Sequence, residues 1–265
     1  MDLARAGRVN PEAKLEMIQK ARDYVDRQRV DVITDIPALI SNVPAMSGDG
    51  DRLKRYARGV VWARILQYKT FTLFKLFHLA DAYLAGLGVG NPFAMLLTAR
   101  AAVEVLAATY DVQGRIEIDS VDPHRAFAAR VQRVDEVLIG ATFGSRYAQF
   151  KDDLRGGGLS KSRTADAHDF EVLQAKNVLT LIDNLTRTGA YPGARDAYDH
   201  LCEYVHTNIG QNMIFLRPPE GEGQAIISRK SERLVERALT ITLEPMAVSC
   251  DAIAQLCRAF KPPFN

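Results

Sequence analysis

The stretch Asn91–Asp111 reads NPFAMLLTARAAVEVLAATYD, and our expectation of the fold starts from it. Asn91 can cap a helix, because its side-chain oxygen can accept a hydrogen bond from an orphan backbone N–H, and Pro92 suits the first helical position. Nearly every later position is apolar or alanine, and no glycine interrupts the run. A helix that is apolar all round is buried on all sides. The stretch therefore predicts a buried central helix against which the other helices pack.

Arg100 and Glu104 are the two charged residues that interrupt this stretch. They lie four residues apart, so they share one face of a helix and can pair with each other. In a buried helix such a pair needs further polar partners from a neighbouring element. The sequence therefore predicts a buried ion pair on the central helix.

The composition is that of an ordinary soluble globular protein, with 265 residues, 47% apolar residues and 25% charged residues. Its 34 basic and 32 acidic residues give a net charge of +2, which provides no general attraction to nucleic acid or to a membrane. The N-terminus lacks an apolar signal core, and three scattered cysteines form no CxxC pair. We expect a cytoplasmic protein that does not span a membrane.

Apolar residues recur at helical spacing along most of the rest of the chain. They predict helices at about residues 11–27, 51–87 (with a candidate break at 68–72), 123–139, 167–188, 194–207 and 231–260, the last kinked at Pro245. Residues 110–121 are predicted to connect two helices, with Ile116 and Ile118 able to pair as a short strand.

Three other segments break the helical pattern. Residues 31–50 hold two prolines and two glycines and predict a connector, whereas residues 140–166 hold five glycines and predict a mobile surface loop. Residues 212–216 and 224–228, joined by RPPEGEG, predict a small β-hairpin. With no internal repeat and no clear linker, we expect residues 1–265 to form one all-α domain, a multi-helix bundle around the central helix.

The segment Asp196–Asn208, DAYDHLCEYVHTN, is the second concentration of polar groups. Asp199, Glu203 and His206 are spaced i, i+4, i+7 and so form one stripe on a helix. A carboxylate beside an imidazole can orient its tautomer and raise its basicity, as general acid–base chemistry requires. The alternative interpretation is a solvated stripe with no chemical role.

If this late helix packs on the central one, His206 or Tyr204 would meet the Arg100–Glu104 pair. Two sets of candidate residues follow from this arrangement. The candidate catalytic residues are His206, Glu203, Arg100 and Glu104, and the candidate ligand-binding residues are Tyr204, Asp199 and Asn208. The alternative interpretation of the pair itself is a structural salt bridge.

This segment supplies only part of the set of ligands that a metal site needs. Glu203 and His206 form Glu-x-x-His, half of the di-iron motif of helical bundles, but no other histidine has a glutamate three residues before it. Cys202 and His206 could supply two zinc ligands, but no two further cysteines or histidines are placed to join them. The sequence predicts neither a metal site nor a cofactor.

The segments TARAAVEVLAATYD and YDHLCEYVHTN resemble parts of uncharacterised bacterial helical proteins. Those proteins show Arg-x-x-x-Glu on a central helix and a Tyr-x-x-Leu-Cys-Glu-x-Val-His-x-Asn segment. The residues here that match are Arg100, Glu104, Tyr198, Leu201, Cys202, Glu203, Val205, His206 and Asn208. Such proteins are similar to the HEPN-like domains of toxin and phage-defence systems. Active HEPN ribonucleases carry Arg-x(4–6)-His, whose arginine holds a phosphate while the histidine moves a proton.

His206 is not the histidine of this motif, because no arginine precedes it with four to six residues in between. Two other pairs fit the spacing, Arg163 with His168 and Arg195 with His200. We expect His206 to be hydrogen-bonded near the central helix and His168 to be exposed at a helix start.

Three classes of function are consistent with these features. The first is a binding or sensor module of a bacterial, defence-related system, acting with a protein partner or as a homo-oligomer. The second is a HEPN-like ribonuclease, against which the near-neutral charge argues, since RNA-binding surfaces are basic. The third is a helical bundle that binds a small molecule between Arg100, Glu104 and Tyr204. We favour the first, because no phosphate loop, nucleophile elbow or metal cluster is found in the sequence.

Overall fold

The computed structural model describes residues 10–27, 43, 48–144, 176–206, 216–217, 226–227 and 232–264. Its helices are α1 (Pro11–Arg27), α2 (Gly50–Tyr56), α3 (Trp62–Gly88), α4 (Pro92–Val121), α5 (Phe127–Phe143), α6 (Val178–Arg187), α7 (Ala194–Val205) and α8 (Glu232–Ala259). A π-helical segment, Ala57–Val61, joins α2 to α3. The predicted all-α class is confirmed.

Two strands of two residues each, β1 (Leu216–Arg217) and β2 (Ile226–Ile227), pair antiparallel. Leu216 lies opposite Ile227, and Arg217 lies opposite Ile226. The rest of the predicted strands and the RPPEGEG connection lie outside the described residues, as does nearly all of the predicted connector at residues 31–50.

The chain divides into two compact units. The first unit contains residues 1–28, 73–107 and 178–255, and the second contains residues 29–72, 108–177 and 256–265. Helices α3, α4 and α8 each supply residues to both units. The two units are described separately below, and the expectation of one domain stays a prediction.

Helix α4 begins where the sequence predicts and ends later. The Asn91 side-chain oxygen accepts a hydrogen bond from the Ala94 N–H at 3.1 Å, which caps the helix as expected. The helix continues to Val121, so the predicted connector at residues 110–121 is wrong. Val112 and Ile116 are buried in this segment, where they belong to the core of the second unit.

The first half of α4 is buried on one side, so the prediction of a helix enclosed on all sides is wrong. The residues of its first half that are buried in the first unit are Met95, Leu96, Ala99, Ala102, Val103, Leu106 and Ala107. On another face Leu97 is 50% exposed and Ala101 is half-buried. Alanine counts as apolar in a sequence, but its small side chain gains little from burial. An alanine-rich face can therefore remain at the surface.

By length and composition α4 could also cross a membrane. Half of its most apolar window is buried inside the fold. A buried core helix of a soluble protein passes the same test, so this property alone does not assign α4 to a membrane.

The turn between α3 and α4 depends on glycine. Gly90 has a φ of 65°, in the left-handed region that glycine adopts without steric cost. The Asn91 N–H donates to the Gly86 carbonyl at 2.7 Å, which closes the end of α3. A Cβ atom on Gly86 would lie 2.8 Å from Cβ of Ala94, so the two helices approach closely here.

Helix α1 has the predicted limits, and Asn10 caps it by accepting a hydrogen bond from the Ala13 N–H at 2.8 Å. Helix α3 shows no break at residues 68–72, and the irregular segment lies earlier, at Ala57–Val61. Helix α8 continues through Pro245.

The limits of α5 and α6 differ from the predicted ones. Asp122 does not open α5: its carboxylate accepts a hydrogen bond from the His124 N–H at 2.9 Å in a turn, and the helix begins at Phe127. Helix α5 then extends to Phe143, into the predicted loop, and residues 145–166 of that loop lie outside the described residues. Helix α6 begins only at Val178; residues 176–177 are not helical, and residues 167–175 lie outside the described residues.

Candidate functional site

Arg100 and Glu104 on α4 meet Tyr198 of α7 in the first unit, and we call these three residues the Arg100 cluster. The Arg100 guanidinium donates to the Tyr198 hydroxyl at 3.1 Å, and that hydroxyl donates to Glu104 Oε1 at 2.9 Å. Arg100 Nη2 also lies 3.3 Å from Glu104 Oε1. The guanidinium carbon is 5.3 Å from the centre of the Tyr198 ring, within the range of a cation–π contact.

The positive charge of Arg100 and the negative charge of Glu104 compensate each other in this cluster. One phenol accepts from the cation and donates to the anion, so it lies in a chain of charge-assisted hydrogen bonds. The pKa of Tyr198 is raised to about 12, mainly because the residue is buried; the bond from Arg100 lowers this pKa and the bond to Glu104 raises it. The phenol is therefore neutral at physiological pH and is a poor proton acceptor.

The Arg100–Glu104 pair is not buried, contrary to our expectation. The two side chains are 24% and 34% exposed, because they lie beside Leu97 on the face of α4 that the first unit leaves open. Such a pair gains less from its Coulomb attraction than a buried one, since water screens it.

Tyr198, rather than Tyr204 or His206, is the residue of α7 that reaches this pair. Tyr198 and Leu201 lie on the buried face of α7, whereas the stripe of Asp199, Glu203 and His206 is exposed. In the sequence, Tyr198 stands out only through the resemblance to HEPN-like proteins, and nothing there makes it the partner of Arg100 and Glu104. The signal for such a role is chemical, because a buried tyrosine hydroxyl usually has a hydrogen-bond partner.

Tyr204 and Asp199, the two candidate ligand-binding residues that the structure describes, are not brought together. Tyr204 is buried, and its hydroxyl accepts a hydrogen bond from Arg237 at 3.4 Å, with the Arg237 guanidinium 5.8 Å from its ring centre. Asp199 is exposed and pairs with Arg195 at 2.7 Å. Asn208 lies outside the described residues.

His206 lies at the C-terminal end of α7, with an exposed side chain. Its backbone N–H donates to the Cys202 carbonyl at 3.0 Å, as is usual where a helix ends. Among the described residues, no hydrogen bond joins its imidazole to α4. The expected link between His206 and the central helix is therefore not found there.

The two spaced Arg–His pairs give no phosphate site in the described part of the chain. Arg195 pairs with Asp183 at 2.8 Å as well as with Asp199, so two carboxylates already neutralise it. His200 is exposed and contacts the Tyr204 ring, with centres 5.3 Å apart. The pair of Arg163 and His168 lies outside the described residues.

A second polar cluster, which the sequence patterns do not predict, lies in the second unit. Asp135 of α5 accepts a hydrogen bond from the Tyr56 hydroxyl at 2.7 Å and pairs with Arg64 Nε at 3.1 Å. All three residues are buried. The signal was the position of Asp135, an acid next to Val134 on the apolar face of its helix and four residues after Val131.

Within the described segments, no three His, Cys, Asp or Glu side chains come together as metal ligands. Cys250 and Cys257 are buried, and burial raises the pKa of both thiols. Both therefore remain protonated, which makes them poor nucleophiles and poor metal ligands.

Alkaline titration should report the environment of Tyr198. Its ordinary pKa is 10.0, and its folded pKa is about 12, so the folded protein keeps a proton that the unfolded chain loses between these values. The contribution of Tyr198 to the free energy of unfolding is fully present below pH 10. It is lost as the pH rises to about 12. We expect the tyrosinate absorbance of the wild type minus that of Tyr198→Phe to rise near pH 12. A difference midpoint near pH 10 would place this phenol in water.

Comparisons of the chain with protein-family models, with curated proteins and with solved structures find no match, so the resemblance to HEPN-like domains stays a prediction.

Proposed function

We propose that this chain is a non-catalytic interaction module that self-associates through α4. The contact surface is the face formed by Leu97, Arg100, Ala101 and Glu104, which we call the α4 patch. The observation that supports it most directly is the 50% exposure of Leu97 on the same face as two side chains of opposite charge. Protein contacts combine apolar side chains with charged ones at the rim, and this face supplies both.

A catalytic role has less support than a binding role. The Tyr198 phenol is held between Arg100 and Glu104, so it is not free to accept a proton from a substrate. In the described part of the chain, the imidazoles of His200 and His206 are not hydrogen-bonded to this cluster. General acid–base chemistry needs such a contact, directly or through one water molecule.

The charges of the α4 patch favour a second copy of the chain as its binding partner. Four residues of α-helix rise by about 6 Å, and a two-fold axis halfway between Arg100 and Glu104 places each beside its opposite in the other copy. Two intermolecular ion pairs then flank the small Ala101, which allows the helices to approach. The same face therefore complements itself, as an isologous contact requires.

The proposed setting of this module follows from the sequence alone. A cytoplasmic location agrees with free Cys202, Cys250 and Cys257. A role in a bacterial defence system rests on the resemblance to HEPN-like proteins and is part of the proposal.

Sedimentation velocity over a range of concentrations tests self-association. We expect the wild type to form dimers, Leu97→Asp to be monomeric, and Ile118→Asp to dimerise like the wild type. The last variant is the matched control, because Ile118 is also an exposed apolar residue of α4 but lies outside the patch. Circular dichroism establishes that all three remain folded.

Charge reversal provides an independent test of self-association. Arg100→Glu and Glu104→Arg should each be monomeric, whereas an equimolar mixture of the two should form heterodimers, because each supplies the charge that the other needs. A wild type that is monomeric at every concentration would contradict the proposal. Cleavage of total RNA by the wild type, lost in His200→Ala or His206→Ala, would replace it with the ribonuclease function.

A further inference from the structure

Four of the buried residues between α2 and the start of α3 follow one another at steps of four, whereas a regular helix has 3.6 residues per turn. The apolar series is Leu53, Ala57, Val61 and Ile65, and all four belong to the core of the second unit. A residue turns by about 100° in an α-helix, so each step of four overshoots a full turn by about 40°. Over the three steps from Leu53 to Ile65 the overshoot would reach about 120°. In a regular helix these residues would not share one face.

The π-helical segment Ala57–Val61 removes this overshoot. A π turn closes its hydrogen bond between residues i and i+5, one residue more than an α turn. The additional residue therefore cancels about 100° of rotation and leaves Leu53 and Ile65 about 20° apart around the axis. This agrees with their common burial in the core.

The same correction brings Tyr56 and Arg64 together. Eight residues separate them, which would place them about 80° apart in a regular helix. With one residue absorbed by the π turn they are equivalent to residues seven apart, about two full turns. Both then reach Asp135 of α5, at 2.7 Å from the Tyr56 hydroxyl and 3.1 Å from Arg64 Nε.

We infer that Ala57–Val61 is a one-residue insertion that sets the register of the α2–α3 helix, so that Tyr56 and Arg64 both bind the buried Asp135. The extra residue lies on the solvent side, where Arg58 and Gly59 are exposed. A Cβ atom on Gly59 would have no heavy atom within 4 Å, so nothing packs against this position. Removing one residue here therefore converts the π turn to an α turn without moving the buried face.

Single-residue deletions test this inference. We expect deletion of Gly59 or of Arg58 to leave a folded protein with cooperative thermal unfolding and a Tm within about 4 °C of the wild type. Deletion of Lys75 is the control, since Lys75 is an exposed residue of α3 outside the π segment. The Lys75 deletion rotates the rest of the helix by about 100°, and we expect this variant to lose cooperative unfolding.

A double-mutant cycle shows whether the contact itself survives. The coupling between Tyr56→Phe and Asp135→Asn should be as large in the Gly59 deletion as in the full chain. A Gly59 deletion that unfolds as readily as the Lys75 deletion would overturn the inference. So would a folded deletion in which Tyr56 and Asp135 no longer couple, because the register would then have changed.

Discussion

Replacement of Asp135 by alanine is expected to lower the free energy of unfolding by about 3–5 kcal/mol. The Asp135 side chain is fully buried, and the Arg64 side chain that pairs with it is only 4% exposed. The substitution leaves the guanidinium in the core without this carboxylate and removes the hydrogen bond from Tyr56. An uncompensated buried charge costs more than the intact pair contributes. Urea denaturation followed by circular dichroism measures the loss.

Asp183→Ala is the matched control, because Asp183 also pairs with an arginine but is 57% exposed. We expect it to cost less than about 1 kcal/mol, since water screens an exposed pair. Addition of Arg64→Met to Asp135→Ala should recover part of the loss by removing the buried charge. A cost below about 1 kcal/mol for Asp135→Ala would show that the second unit does not depend on this pair.

Leu96→Ala and Leu97→Ala should have very different effects, although the two residues are neighbours. Leu96 is fully buried in the first unit, so its truncation should cost about 2–5 kcal/mol through lost burial and the cavity that remains. Leu97 is 50% exposed, so its truncation should change the stability by less than about 0.5 kcal/mol. Chemical denaturation at a concentration too low for self-association separates the two.

This pair of substitutions tests the one-sided burial of α4 directly. Equal, large losses at both positions would mean that α4 is enclosed on all sides, as its composition alone suggests. Two small losses would mean that α4 is not a core helix. Only the asymmetric result agrees with both the core of the first unit and an accessible α4 patch.

Local signals in the sequence determine much of the helical structure. Asn10 and Asn91 predict the starts of α1 and α4, because capping depends only on one side chain and the next few backbone groups. The all-α class follows from apolar spacing for the same reason. The end of α4 does not follow from the sequence pattern, because glutamate and aspartate at residues 117 and 119 interrupt the apolar spacing, whereas Val112 and Ile116 are buried in the core of the second unit.

The candidate site depends on contacts between residues far apart in the chain. The sequence contains these residues but does not show how they are arranged. Arg100 and Glu104 are recognisable as a pair because four residues of helix place them together. Their partner, Tyr198, is decided by which face of α7 is buried, and that face puts Tyr198 inside and leaves His206 in solvent. Tyr56 and Arg64 both contact Asp135 because of the π turn, whose extra residue changes the face on which Arg64 lies. Helix formation is local and can be predicted from spacing, but the choice of buried face is a property of the whole packed core, and only the tertiary structure decides it.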